Sequence, residues 1–135
     1  MEEIWKDIIG YEGLYQVSNY GRIKSLSRVM TFGRRNAKRL LDEVIKSTKI
    51  KKGYVYVKLA KSGVVTTYLV HRLVAQAFLE PVVDKDQVNH LDFDGTNNRV
   101  GNLEWTTRSE NQLHSVVHGR GAYAKSKRAI WGRTQ

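Results

Sequence analysis

Five of the chain's seven asparagines and three of its four histidines fall between Asn89 and His118. Few arrangements of a chain can accommodate that density. Each amide or imidazole needs partners once it leaves water, so the segment either forms solvated turns or converges on a ligand. A metal ion together with a phosphate would satisfy such a set. The segment runs from Gln87 to Trp105 and continues through Thr107, Arg108, Ser109, Glu110 and Asn111 to His114.

At 135 residues the sequence encodes one domain, or one small domain with an appended module. No apolar run approaches the roughly 18 residues of a membrane span, so no membrane partner is expected. The N-terminus, Met1-Glu2-Glu3-Ile4-Trp5, is acidic and does not read as a signal peptide. The absence of cysteine excludes disulfides and thiolate metal sites. A cytoplasmic protein is expected.

The net charge is +10 and it is unevenly spread. Residues 1–53 carry twelve Lys/Arg against six Asp/Glu, residues 54–119 six against seven, and residues 120–135 five against none. A near-neutral centre between two basic arms points to a polyanion, since phosphate neutralisation dominates nucleic-acid affinity.

Leu14–Val17 and Arg22–Leu26 alternate like short strands around the turn formers Ser18-Asn19-Tyr20-Gly21, which predicts a hairpin. Residues 27–53 are basic and loosely patterned, either a solvated loop or a DNA contact. Tyr54–Leu59 and Val64–Val70 read as strands joined at Lys61-Ser62-Gly63. Val70, Leu73, Val74, Ala77 and Phe78 follow helical spacing up to Pro81. His71 and Arg72 open that helix: the histidine reads as a hydrogen-bonded structural residue and the arginine as a candidate phosphate contact. Leu103–Thr106 is a short strand. Thr107 and Glu110 form a capping box for a helix running to about Val117.

A strand, a polar loop, a second strand and a helix can gather Asn89, His90, Asn102 and Asn111. Phosphodiester hydrolysis needs a base for water, a cation for the developing charge and a group that holds the base's tautomer. His90 is the candidate base, Asn102 its orienter, and Asn89 with Asn111 the metal ligands. Amide oxygens suit Mg²⁺ or Mn²⁺ ahead of Zn²⁺. Asp92–Asn97 also hints at a calcium loop, but its glycine comes early and the twelfth position lacks a glutamate. An Asx-rich turn is the alternative. His114 and His118 at i, i+4 lack an evident third zinc ligand.

Val88-Asn89-His90, Asp92, Asn97-Asn98, Asn102-Leu103-Glu104-Trp105 and Glu110-Asn111 resemble the HNH endonucleases of phage and intron origin, which carry a ββα-metal motif. His71–Phe78 resembles the segment that precedes this motif. Trp5–Ile8, Gly10–Asn19 and Gly21–Ile23 resemble a small N-terminal module fused to such nucleases. The resemblance implies His90 as general base with Asn102 orienting it, and Asn89 and Asn111 at metal-ligand positions. Other members have Asp or His in place of Asn89 and His in place of Asn111. Ser115 stands where some carry a further histidine, which makes its neighbour His114 a third candidate ligand. Longer members carry a C-terminal helical DNA-reading module, against Arg120–Gln135 here.

The expected fold is α+β, a small N-terminal β-hairpin module (1–53) with a ββα-metal nuclease core (54–119) and a basic tail (120–135). The expected function is metal-dependent cleavage of double-stranded DNA, in a prokaryotic or phage-infected host cell, by a monomer or homodimer. Expected DNA contacts are Arg34, Arg35, Lys38, Arg39, Lys51, Lys52, Arg72, Arg108, Lys125, Lys127 and Arg128. The alternatives are a catalytically degenerate DNA-binding module and, last, an RNA-binding protein.

Overall fold

Apolar side chains alternate along Tyr54–Lys61, and the computed structural model shows why: Val55, Val57 and Leu59 of this strand face inward while Lys58 faces solvent. The structure describes residues 2–110. The strand (β8) is the middle of a three-stranded antiparallel sheet with β7 (Lys49–Lys51) and β9 (Val64–Leu69). Its apolar face meets helix α1 (Val70–Phe78), which buries Val70, His71, Leu73, Val74 and Ala75. The helix stops before Pro81, as its 3.6-residue spacing predicts, with Leu79 N–H bonded to the Ala75 carbonyl.

The N-terminal strands β1 (Trp5–Asp7), β2 (Tyr15–Ser18), β3 (Ile23–Ser25) and β6 (Val44–Ile45) form an antiparallel sheet. The hairpin expected around Ser18–Gly21 is β2–β3, with Val17 opposite Ile23. Ile8, Tyr11, Tyr15, Val17 and Ile23 join one core with Val57, Leu59, Val70, Val74, Val88 and Leu103. Apolar burial is therefore continuous across residue 53.

Residues 27–53 differ from their expected irregular character. Among the described residues, Arg28–Phe32 (β4) and Ala37–Leu41 (β5) pair only with each other, Val29 opposite Leu40. No described residue of this two-stranded ribbon is fully buried, so it imposes little apolar alternation on the sequence. Arg28 pins the base of the ribbon: its guanidinium donates to the Leu14 and Leu26 carbonyls and lies over the Tyr15 ring.

The polar segment is held by β10 (Gln87–His90) and β11 (Leu103–Thr106), antiparallel, with Asn89 opposite Glu104 and His90 opposite Leu103. A single 3-10 turn, Val100–Asn102, leads into β11. The capping box is present: Glu110 N–H donates to Thr107 Oγ1 at 3.1 Å and Thr107 N–H to Glu110 Oε1 at 3.0 Å. Among the described residues, no helix is long and apolar enough to cross a membrane.

Candidate active site

The loop between β10 and β11 is organised by carboxylates that accept from their own neighbours. Asp92 Oδ1 accepts from Asp94 N–H and Asn102 Nδ2, both at 2.9 Å, and Asp92 Oδ2 accepts from Asn97 Nδ2 at 2.8 Å. These donors, Asn97 foremost, hold the Asp92 carboxyl below its ordinary pKa. Asp94 accepts from the Thr96 backbone and hydroxyl. The segment is thus the Asx-rich turn, and its carboxylates are engaged within the loop. Gly95 is required by close approach, because a Cβ there would run into the Gly53 carbonyl and the Tyr54 ring.

His90 ends β10 and is buried. Asn98 Oδ1 lies 2.8 Å from its Nε2. With the Asn98 amide assigned so that its oxygen faces the ring, Nε2 carries the proton and donates, and Nδ1 keeps its lone pair. Burial pushes the His90 pKa below its ordinary value, while the Asn98 bond and the charges of Asp92 and Asp94 pull it upward. A neutral imidazole with Nδ1 unprotonated can accept a proton.

Asn102, expected from the sequence to orient His90, makes its hydrogen bonds elsewhere. Its Nδ2 donates to Asp92 and to the Asn97 carbonyl, both at 2.9 Å, and its Oδ1 accepts from Asp92 N–H. It closes the loop, and Asn98 holds the ring. The physical reason is position. Asn102 sits at the foot of β11 with both amide hydrogens already committed, whereas Asn98 is buried against the imidazole. Nothing in residue spacing separates Asn98 from Asn97 and Asn102, so sequence reasoning missed it.

Asn89 precedes the histidine. Its Nδ2 donates to Glu104 Oε1 at 3.0 Å across the strand pair, a partner the sequence reading did not single out. A carboxylate only accepts, so Glu104 decides which end of the amide it holds. Asn89 Oδ1 takes no hydrogen bond from any described residue and remains as a hard oxygen donor. This chemistry fits Mg²⁺ or Mn²⁺. Asn111 and His114 lie outside the described residues, and no group of three His, Asp or Glu with metal-binding geometry occurs among the described ones.

His71 stands behind His90, fully buried, with ring centroids 4.9 Å apart. Tyr54 packs on both rings, at 5.4 Å from His71 and 5.8 Å from His90. Burial, reinforced by His90 and Arg72, drops the His71 pKa to about 3, so this ring is neutral. It has no hydrogen-bond partner among the described residues. The ring is buried as a structural residue would be, but without the hydrogen bond that the sequence reading expected.

Arg34 and Arg35 occupy the exposed turn of the β4–β5 ribbon, with Lys38 and Arg39 on β5. Lys51 ends β7 and Lys52 follows in the turn, both exposed. Arg72 donates to the Asp86 carbonyl at 2.8 Å. Arg108 is exposed just past the capping Thr107. Lys125, Lys127 and Arg128 lie outside the described residues.

Comparison with known proteins finds similar sequences and a similar fold. The NUMOD4 motif matches residues 3–60, and the HNH endonuclease family matches residues 68–113. The DNA endonuclease I-HmuI of Bacillus phage SP01 is 37% identical over 115 residues, covering 85% of this chain and 59% of that protein. An uncharacterized HNH endonuclease of Acanthamoeba polyphaga mimivirus is 34% identical over 115 residues, 85% of this chain and 30% of the relative. A solved structure of DNA binding and cleavage by the HNH homing endonuclease I-HmuI superposes with a TM-score of 0.72 at 34% identity, covering 100% of this chain and 69% of that one. The chain spans about three-fifths of the phage relative's length.

Proposed function

This chain belongs to the HNH endonuclease family, and on that footing we propose that it is a metal-dependent endonuclease hydrolysing phosphodiester bonds of double-stranded DNA. The observation that carries the reading is the Asn98–His90 bond, which leaves a lone pair on Nδ1 of a buried, neutral imidazole. His90 Nδ1 takes a proton from water. The water oxygen bonds to phosphorus, and the bond from phosphorus to the leaving sugar oxygen breaks. Asn98 steadies the imidazolium by accepting from Nε2–H.

A divalent cation, Mg²⁺ or Mn²⁺ ahead of Zn²⁺, supplies charge neutralisation at the phosphate and the leaving oxygen when bound. Asn89 and Asn111 would hold it, with His114 as the third candidate. Asn102 keeps the loop closed around Asp92. Arg34, Arg35, Lys38 and Arg39 on the ribbon, with Lys51, Lys52, Arg72, Arg108, Lys125, Lys127 and Arg128, contact the DNA backbone. The N-terminal segment to residue 53, the nuclease core at 54–119 and the basic tail serve as its functional units. The protein works in the cytoplasm of a prokaryotic or phage-infected cell.

Supercoiled plasmid incubated with Mg²⁺, Mn²⁺, Zn²⁺ or EDTA tests the reading. Relaxed circles mean nicking and prompt linear product means paired cuts. Binding without cleavage under every metal means a degenerate DNA-binding module instead.

A further inference from the structure

Three consecutive residues of the N-terminal turn meet three consecutive residues of the nuclease loop, running in opposite directions. A Cβ on Gly21 would lie 2.8 Å from Asn98 Cβ and 3.0 Å from the Asn98 carbonyl oxygen. The Arg99 guanidinium lies over the Tyr20 ring at 4.4 Å. Val100 N–H donates to the Asn19 carbonyl at 2.9 Å.

The turn itself is stiff. Ser18 Oγ accepts from the backbone N–H groups of Tyr20 and Arg22, and Gly21 N–H donates to the Ser18 carbonyl. Asn19 Oδ1 accepts from Ile4 N–H and its Nδ2 donates to the Glu2 carbonyl, which ties the turn to the N-terminal strand. Gly21 sits at φ +88°, a conformation that glycine alone adopts without strain.

We infer that the N-terminal module is part of the catalytic centre: the Ser18–Gly21 turn clamps Asn98, and Asn98 sets the tautomer and orientation of His90. The inference rests on His90 being the general base. Asn98 and Gly21 are positioning residues, since neither touches the reacting atoms. A neutral imidazole otherwise exchanges between two tautomers, and only the one protonated at Nε2 presents Nδ1 to water. Asn98 is buried, so its oxygen stays on the ring as long as its backbone stays where the glycine turn holds it. A methyl group at position 21 must push that backbone away.

The test uses the whole chain with Gly21→Ala, Asn98→Ala and the double variant. Nitrogen-15 NMR of labelled histidine reads the His90 tautomer directly, with His71 as a buried reference in the same spectrum. The parent is expected to show Nε2 protonated and Nδ1 bare, and both single variants a mixture. Single-turnover cleavage at saturating protein is expected to slow roughly 10- to 100-fold in each, with DNA affinity unchanged, as for a displaced catalytic group. The double variant should be no slower than Asn98→Ala, because both changes break one link. Asn98→Asp, which keeps an acceptor, should restore the tautomer.

If Gly21→Ala does not fold by thermal melt, Tyr20→Ala, which removes only the ring beneath Arg99, is read in the same two assays. A parental tautomer in the folded Gly21→Ala protein, or losses that multiply in the double variant, would overturn the clamp. A parent chain that cuts nothing with any metal defeats the nuclease reading, while the tautomer measurement still decides the clamp.

Discussion

The rings of His71 and His90 meet edge to face, 4.9 Å between centroids and 71° apart, with Tyr54 packed on both. His90, the proposed general base, therefore leans on a second imidazole that is shut away from water. Burial disfavours the charged form of both rings, and His90 adds to this at His71, while Asn98, Asp92 and Asp94 oppose it at His90.

Acid should consequently unfold this protein through His71. Its folded pKa of about 3 lies below the ordinary histidine value, so the stabilisation is full above about pH 6.5 and is lost as pH falls toward 3. Stability should fall by about 1.4 kcal/mol per pH unit from this group alone. His71→Leu removes a ring with no hydrogen-bond partner among the described residues, so it should cost little at pH 7 and flatten the acid limb. Denaturant melts of both proteins between pH 4 and 7 measure it, and an equally steep limb in the variant would move the acid sensitivity elsewhere.

His90→Ala should lower cleavage by about 10² to 10⁴ while DNA affinity stays near parental. Paired cleavage and filter-binding measurements separate the two quantities. Cutting at the parental rate would mean that His90 is not the base.

Asn102→Ala should act on stability first. It deletes two donated bonds and one accepted bond in the β10–β11 loop, a cost of roughly 1–3 kcal/mol. Thermal melts compared with cleavage rates distinguish this from a direct catalytic role. An unshifted melting temperature with abolished cutting would restore Asn102 to the chemistry.

Asn89→Asp brings a carboxylate against Glu104, where an amide now donates at 3.0 Å. The variant should melt earlier in EDTA, recover with Mg²⁺ and need less Mg²⁺ for half-maximal cleavage, since a carboxylate binds a hard cation better than an amide. Magnesium titrations of melting and cleavage report both effects. No change in either would place the ion away from Asn89.

Alanine at Arg34, Arg35, Lys38 and Arg39 should weaken binding to all duplexes and lower the slope of log affinity against log salt by up to about 3.6, at about 0.9 per phosphate contact. Sequence preference should survive. Deleting Arg120–Gln135, with its five positive charges, provides the comparison for the other basic arm. An unaltered slope in the ribbon variant would assign the electrostatics to that tail.

Sequence alone determined the elements whose periodicity reflects a buried face: the alternation of β8, the helical spacing of Val70–Phe78 and the hairpin turn at Ser18–Gly21. The Thr107–Glu110 capping box was legible because its bonds span three residues of chain. His90 stood out as an imidazole within an unusual cluster of asparagines. Tertiary structure decided which asparagine does what. Asn97, Asn98 and Asn102 have the same side chain, and only the packing of the Gly21 turn and the closure of the loop on Asp92 put one on His90 and another on a carboxylate. The β4–β5 ribbon was equally hidden, since a strand pair with no fully buried residue among those described leaves little hydrophobic pattern to read. Glu104 entered by register, because an antiparallel ladder sets it opposite Asn89 across fifteen residues of sequence. Periodicity records burial and local bonding, whereas these pairings depend on where distant backbone segments come to rest.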